Sequence, residues 1–489
     1  MKEEMLVIEN GGICKDNHDI FRELYVQIFK GEIFGIIFDN ILEKDCLLEF
    51  LKGRIILDYG LIFLNGEKID IKDSNRLFTD YITVIERTSK LVHSLSIVEN
   101  VLMFAPVMPK YYVDKKSYAK TMEKVMEELM VRIPMDKPVL SLTSKERVII
   151  ELIKAYVEGK KLVVMANAGG FLKSMEFTEV FALINRLREL GMTFAIIESF
   201  EGTIFKWTDR LAIVKNGKTL GIYKSQDIKR QQIYSALIGN QYGRQTGNLT
   251  AVEQNEPEKP QASLVLSGIN TEILDNFNFT INKGQVVKIY YMDDLSFIHI
   301  VELLKGLRKP LSGHISVNNR EYSVNSVHMA VKQGVCFIEE SPDENMLFYN
   351  MSVLDNLCLA LARKVPMLWA KKKFTKSVKE LIAQHMGEDI SNIKLSKLPP
   401  VKLQQIAYFK WLLYVPSVVV CIKPFTEADI YLREVTVNMI EMLRMRGISV
   451  IIFTPNFSET YQIDGKTIYI RNGKLIDEDE VYQILYREG

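Results

Sequence analysis

Two Gly-Lys-Thr triplets, starting at Gly217 and Gly465, have the residue types that close a phosphate-binding loop. Such a loop needs a leading glycine so that backbone N–H groups can approach the phosphate oxygens, and neither triplet has one. Asp293 and Asp294 stand side by side at a predicted helix N-terminus, where carboxylates satisfy the helix dipole without any ligand. The five cysteines, Cys14, Cys46, Cys336, Cys358 and Cys421, are odd in number and lack C-x-x-C spacing or nearby histidines. That pattern fits plain thiols and predicts neither a disulfide framework nor a zinc site, so no metal-ligating set is expected.

Positioning any chemistry is the task of the elements around these residues. A chain of 489 residues exceeds what one hydrophobic core ordinarily serves, which predicts at least two domains. With 47% hydrophobic and 25% charged residues the composition is globular, and a net charge of +1 without basic blocks gives no footprint for nucleic acid or for an anionic bilayer. There is no apolar run of about 18 residues and no signal-like N-terminus, so the expectation is a cytoplasmic protein with no direct membrane insertion.

Comparing the chain with itself shows a duplication. The first half carries FKGEIFGIIF, LNGEKI, SLSIVENV, KKLVVMANA and DRLAIVKNGK, and the second carries INKGQVVKIYY, VNNREY, NMSVLDNL, PSVVVCIKP and GKTIYIRNGK in the same order. A period of roughly 250 residues means a repeated domain, not a solenoid. The expected division is a first domain over 1–245, a polar linker over 246–262 containing two prolines, and a second domain over 263–489. Within each half, short apolar runs alternate with helical periods such as Phe177 to Leu190 and Asp429 to Met445, which predicts an α/β fold with a largely parallel sheet. Lys115 to Val131 and Ala370 to His385 interrupt that alternation as amphipathic helical inserts.

SLSIVENV, NMSVLDNL, ERVIIELIKAY, SALIGNQ and GVCFIEESPDENMLFYNMSV, in one order and nearly along the whole chain, resemble the tandem ATP-binding-cassette (ABC) subunits of bacterial ribose, galactose and xylose importers. The resemblance implies two cassettes of P-loop type, each a RecA-like, mostly parallel core with an antiparallel β subdomain and a helical insert. It also implies which positions should carry nucleotide chemistry, and most of them are substituted. The family's glycine-rich phosphate loop corresponds to Phe38-Asp39-Asn40-Ile41-Leu42-Glu43-Lys44-Asp45, where only Lys44 is retained, and to Tyr291-Met292-Asp293-Asp294-Leu295-Ser296-Phe297-Ile298, where Phe297 replaces the lysine. Non-glycine residues forced into left-handed geometry cost roughly 1–2 kcal/mol each. Lys44 then reads either as a residual nucleotide contact or as a solvated lysine at a helix start.

The Asp-Glu pair that ends the family's Walker B strand reads Ala166-Asn167 and Ile422-Lys423, and the switch histidine falls at Ser199 and Pro455. The signature motifs read Leu142-Thr143-Ser144-Lys145-Glu146-Arg147-Val148 and Leu398-Pro399-Pro400-Val401-Lys402-Leu403-Gln404; Thr143 keeps a hydroxyl, whereas the prolines have no N–H to donate. Residual nucleotide-binding candidates are therefore Lys44, Asp45 and Thr143, with no catalytic residue. The resemblance places Arg87, Ser96, Glu99, Asn100, Glu340, Ser352 and Asn356 along the groove that faces a permease, although ordinary helix capping accounts equally well for such positions. The expectation is a cytoplasmic pseudo-ATPase requiring no cofactor and binding ATP and magnesium only weakly. It would act as a scaffold, peripheral at the inner face of the membrane through a permease-like or signalling partner. The alternatives are a working ATP-binding subunit of a carbohydrate importer and a nucleotide sensor that binds without hydrolysis.

Overall fold

Buried parallel strands read as unbroken apolar runs because both faces of the sheet are covered by helices. IFGIIF, LVVMA, VVVCI and SVIIFT are such runs, and in the computed structural model every residue of the strands Ile33–Phe38, Leu162–Ala166, Val418–Ile422 and Ser449–Thr454 is buried. The structure describes residues 2–15, 18–103, 115–133, 135, 137–198, 204–228, 232–233, 237, 261–361, 367–386, 389–426, 428–456, 460, 463–477 and 480–481. Ser199 and nearly all of the 246–262 segment lie outside the described residues. The chain forms two compact units, Met1–Thr250 and Ala251–Gly489.

In the first unit the parallel core runs, across the sheet, Arg210–Lys215, Ile33–Phe38, Thr193–Glu198, Leu162–Ala166 and Ile82–Ile85. Lys218–Lys224 joins it to antiparallel strands His18–Phe29, Glu4–Lys15, Tyr59–Leu64 and Glu67–Ile69. The second unit repeats the core order with Lys466–Arg471, Val286–Tyr291, Ser449–Thr454, Val418–Ile422 and Val335–Ile338. Its antiparallel sheet is separate, in the order Phe277–Asn282, Ala262–Asn270, Ser312–Val317 and Arg320–Glu321. The expected inserts are helices Lys115–Glu128 and Met367–Met386; Met122 and Ile382 are fully buried in them. Among the described residues no helix is long and apolar enough to cross a membrane.

The Gly217 triplet is a hairpin turn. Gly217 has φ of 73°, Lys218 pairs with Glu23 at 2.5 Å, and the Thr219 hydroxyl bonds the backbone of Tyr25. A Cβ on Gly217 would come within 2.4 Å of the Ile20 carbonyl oxygen, so glycine is there for close approach and left-handed geometry.

One helix end differs between the repeats in a way that predicts a measurable strain. Helix Ser144–Val157 is followed by Gly159 with φ of 77°, whereas helix Pro400–Tyr414 ends on Val415 with φ of 52°, and Val415 is 46% exposed. A β-branched residue pays steric energy in left-handed geometry and gains little back from packing at an exposed site. Val415→Gly is expected to raise stability by about 1 kcal/mol, read as a higher thermal midpoint of the full chain; an unchanged or lower midpoint would refute the strain.

Candidate functional site

At each strand-to-helix turn where the resemblance places phosphates, the local sequence closes the turn on itself. In the first unit Asn40 caps helix Ile41–Leu51. Its Oδ1 accepts the Glu43 N–H at 2.9 Å and its Nδ2 donates to Glu43 Oε1 at 2.8 Å. Asp39, Glu43 and Lys44 are 1%, 5% and 3% exposed. Burial and the neighbouring Asp39 push the Glu43 carboxyl up to about 7, held back by hydrogen bonds from the Gly217 backbone and Asn40. Lys44 is not the solvated lysine of the sequence reading: its ammonium is buried and pairs with half-exposed Asp45 at 3.4 Å. Asp45 therefore serves as the counter-ion of Lys44 here, and the Glu43 N–H that a phosphate would use is taken by the cap.

In the second unit Asp293 caps helix Asp294–Lys305. Oδ1 accepts Ser296 N–H at 2.7 Å, while Oδ2 accepts the Ser296 hydroxyl at 2.8 Å and Asn472 N–H at 2.7 Å. Phe297 stacks on Tyr291 with centroids 4.4 Å apart, meets Phe453 edge-on at 5.5 Å, and lies 5.8 Å from the Lys423 ammonium. Aromatic stacking and a cation–π contact occupy the place of the phosphate-gripping lysine.

Asn167 and Lys423 follow the core strands Leu162–Ala166 and Val418–Ile422 with φ of 52° and 46°, and each N–H bonds the adjacent strand, Asn167 to Ile197 O and Lys423 to Phe453 O, both at 2.9 Å. Neither an amide nor an ammonium can polarise water as a carboxylate base does. Magnesium in a phosphoryl-transfer site is held by carboxylate, hydroxyl and phosphate oxygens. Among the described residues no group of three or more His, Cys, Asp or Glu is placed to hold a metal ion. The residues at these turns do not fit a magnesium–triphosphate grip.

Thr143 is likewise an end cap. It forms a capping box with Glu146, receiving its N–H at 3.2 Å and directing its own hydroxyl to Glu146 Oε2 at 3.0 Å; Lys137 holds that carboxylate at 2.7 Å. The hydroxyl proton expected for a phosphate is thereby committed inside the helix start.

Two of the groove candidates are corrected by burial. Asn100 and Asn356 are 2% and 4% exposed and cannot present a side chain to a partner. Each clamps the loop eight residues before it: Asn100 Oδ1 accepts Val92 N–H at 2.7 Å and Nδ2 donates to Val92 O at 3.0 Å, while Asn356 does the same to Phe348 at 2.8 and 3.0 Å. Ser96 with Glu99, and Ser352 with Asp355, cap the helices that carry them. Asn100→Ala leaves the Val92 amide groups without that partner and is expected to cost about 2 kcal/mol in urea unfolding; a cost below about 0.5 kcal/mol would show that water replaces the clamp. Arg87 remains exposed, and Glu340 is half-buried just before left-handed Ser341.

Long-range fastenings that no motif announces hold this region. Arg147, 9% exposed and over the Phe171 ring, donates to the carbonyls of Glu86 and Arg87. Glu151 accepts from the Ser89 hydroxyl at 2.8 Å and the Lys90 N–H at 3.2 Å. One ion pair is duplicated, Lys52–Glu86 in the first unit and Lys305–Glu339 in the second, both at 2.8 Å. Basic residues at a helix end carry a weak sequence signal for such pairs; the positions of Arg147 and Glu151 carry none.

No family model matches the chain. It is 22% identical over 479 residues to the ribose import ATP-binding protein RbsA of Caldanaerobacter subterraneus subsp. tengcongensis, covering 96% of each chain. To the galactose/methyl galactoside import ATP-binding protein MglA of Clostridium tetani it is 23% identical over 486 residues, covering 97% of this chain and 96% of that one. Among solved structures, the archaeal ribosome recycling factor aABCE1, in complex with stalk protein aP1, matches 98% of this chain at TM-score 0.60 and 13% identity. An RNase-L inhibitor matches 99% at TM-score 0.61 and 14% identity. These two share the fold. The likeness to ATP-binding proteins along nearly their whole length overturns the expectation that no cofactor is required, and ATP is the ligand the chain has to be tested with. With the repeated core order of the two units, the chain has the fold of two tandem ABC cassettes, and its relatives are sugar-import ATP-binding subunits.

Proposed function

We propose that this chain is the tandem ATP-binding subunit of a carbohydrate importer, cytoplasmic and peripheral at the membrane through a permease. The observation that supports the reading is the likeness to ribose and galactose import subunits over 96% or more of their length, which spans both cassettes and not a shared half alone. Cassettes over 1–245 and 263–489, joined by the 246–262 linker, are the working units of this reading. Its partner face is the groove side of each unit, where Arg87, Val92, Met103, Phe348 and Tyr349 are exposed beside the Asn100 and Asn356 clamps.

A second reading differs at the chemistry. Phe297 in the aromatic stack, buried Lys44, and Asn167 and Lys423 at the strand ends favour a subunit that docks without hydrolysing, leaving turnover to another chain or serving as a nucleotide sensor or as a scaffold for a signalling partner.

The experiment is a calorimetric titration of the full chain with ATP and magnesium to millimolar nucleotide, paired with a turnover assay. The importer-motor reading expects saturable binding, a stability gain by mass action, and turnover lost in Lys44→Ala. Binding without turnover selects the non-hydrolysing subunit. The absence of any binding would sink the ATP-binding reading itself.

A further inference from the structure

A cleft of about 270 Å³ runs along strand Ile82–Ile85, the edge strand of the first unit's sheet. It lies beyond the C-terminal end of helix Ile41–Leu51, whose 11 residues span about 16 Å, so it is separate from the Asn40–Lys44 turn. Five cations line it, Lys52, Arg54, Lys90, Lys154 and Lys160, against the two carboxylates of Glu151 and Glu158.

Not all of that charge is compensated. Lys52 is matched by Glu49 at 2.9 Å and Glu86 at 2.8 Å, and Arg54 by Glu49 at 3.1 Å. Lys154 is paired with Glu158 at 3.9 Å. Lys160 donates to the carbonyls of Thr79 and Asp80 at 2.6 and 3.3 Å, which satisfy its protons without cancelling its charge. Lys90 makes no ion pair among the described residues. Glu151, 6% exposed, is occupied by Ser89 and the Lys90 N–H, and burial raises its pKa. Although the side chain is exposed, partial desolvation by the surrounding cleft lowers the Lys90 ammonium from its ordinary value; Glu86 and Glu151 offset this, and Lys52 and Arg54 add to it. An anion between these groups gains from cations gathered around a concave wall, the arrangement that concentrates anionic ligands.

We propose that this cleft binds a small phosphate-bearing anion, of the size of pyrophosphate or a sugar phosphate, at a site distinct from both strand-to-helix turns. Lys90 and Lys160 supply the uncompensated charge, and Lys154 closes on the same group. Lys90 and Leu91 lie in the Arg87–Val92 segment of the partner face proposed above, so an anion bound here would sit at that face; the proposal does not rest on the importer reading.

The test is calorimetric titration of the full chain at low salt with pyrophosphate and, separately, with glucose 6-phosphate. The expected result is saturable one-site binding of at least one of them with Kd under about 1 mM. Tighter pyrophosphate assigns a free phosphate chain, and tighter glucose 6-phosphate assigns a phosphate carried on a sugar. Affinity should fall about tenfold in Lys90→Gln/Lys160→Gln and stay unchanged in Lys44→Ala. Lys90→Gln alone, at an exposed side chain, guards against a folding defect and should weaken binding about threefold. No saturable heat for either ligand, binding indifferent to both lysine variants, or binding lost in Lys44→Ala would each overturn the site.

Discussion

Replacing Phe297 by alanine is expected to lower the stability of the second cassette by about 3 kcal/mol, because the half-buried ring fills the space between Tyr291 and Phe453 and lies under the Lys423 ammonium. The alternative is a ring that merely covers an otherwise preformed phosphate pocket. On that alternative Phe297→Ala would cost little and open a site for ATP. Urea unfolding of the full chain separates the two, with Phe297→Leu as the volume-matched control costing about 1 kcal/mol. Phe297→Lys, which restores the charge type of the family's phosphate loop, is expected to gain no ATP affinity. It would set a second ammonium beside Lys423 and leave the Asp293 cap closed on Ser296. Measurable ATP binding by that variant would contradict the packed-turn description.

Glu43→Gln is expected to remove a pH dependence of stability from the first cassette. Burial and Asp39 hold the Glu43 carboxyl at about 7, above its ordinary value, so the folded chain keeps the proton longer than the unfolded one. The associated stability is fully present below the unfolded value and is lost as pH rises through 7. A shift of that size corresponds to roughly 3 kcal/mol at most, and solvent near the helix start reduces it to about 1–2 kcal/mol. The amide of glutamine can keep the Asn40 hydrogen bonds and has no charge to bury. Urea midpoints at pH 5 and pH 8 should therefore converge in the variant and separate in the parent chain, which loses stability at pH 8. Equal pH dependence in both would show that Glu43 ionises without penalty and would remove the case that this turn is closed by buried carboxylates.

Much of the architecture was legible because it is written in short-range pattern. The buried strand runs, the helical inserts and the serine caps at Ser96 and Ser352 follow from local periodicity and spacing, the duplication follows from the same segments recurring in order in both halves, and their sequence positions match the elements found. The absence of a glycine-rich phosphate loop was equally plain, since left-handed backbone near phosphate demands particular residue types. The Gly217 triplet was read as lacking that loop's leading glycine, and the fold makes it a hairpin turn.

Tertiary structure decided what the retained polar residues do. Lys44 looked like a surface residue in a charged stretch, but the fold buries it against Asp45 because Asp39 and the Gly217 hairpin cover the helix start. Asn100 and Asn356 matched a permease-facing motif, yet both turn inward to hold the backbone of surface loops at Val92 and Phe348. Arg147 and Glu151 carry no local signal, since their partners at Glu86 to Lys90 lie about sixty residues away in the chain and meet them only through sheet and helix packing. The sequence by itself determined the repeat, the fold class and the loss of glycine-loop geometry. Which polar group meets water and which a backbone amide depends on long-range packing, and only the tertiary structure decided it.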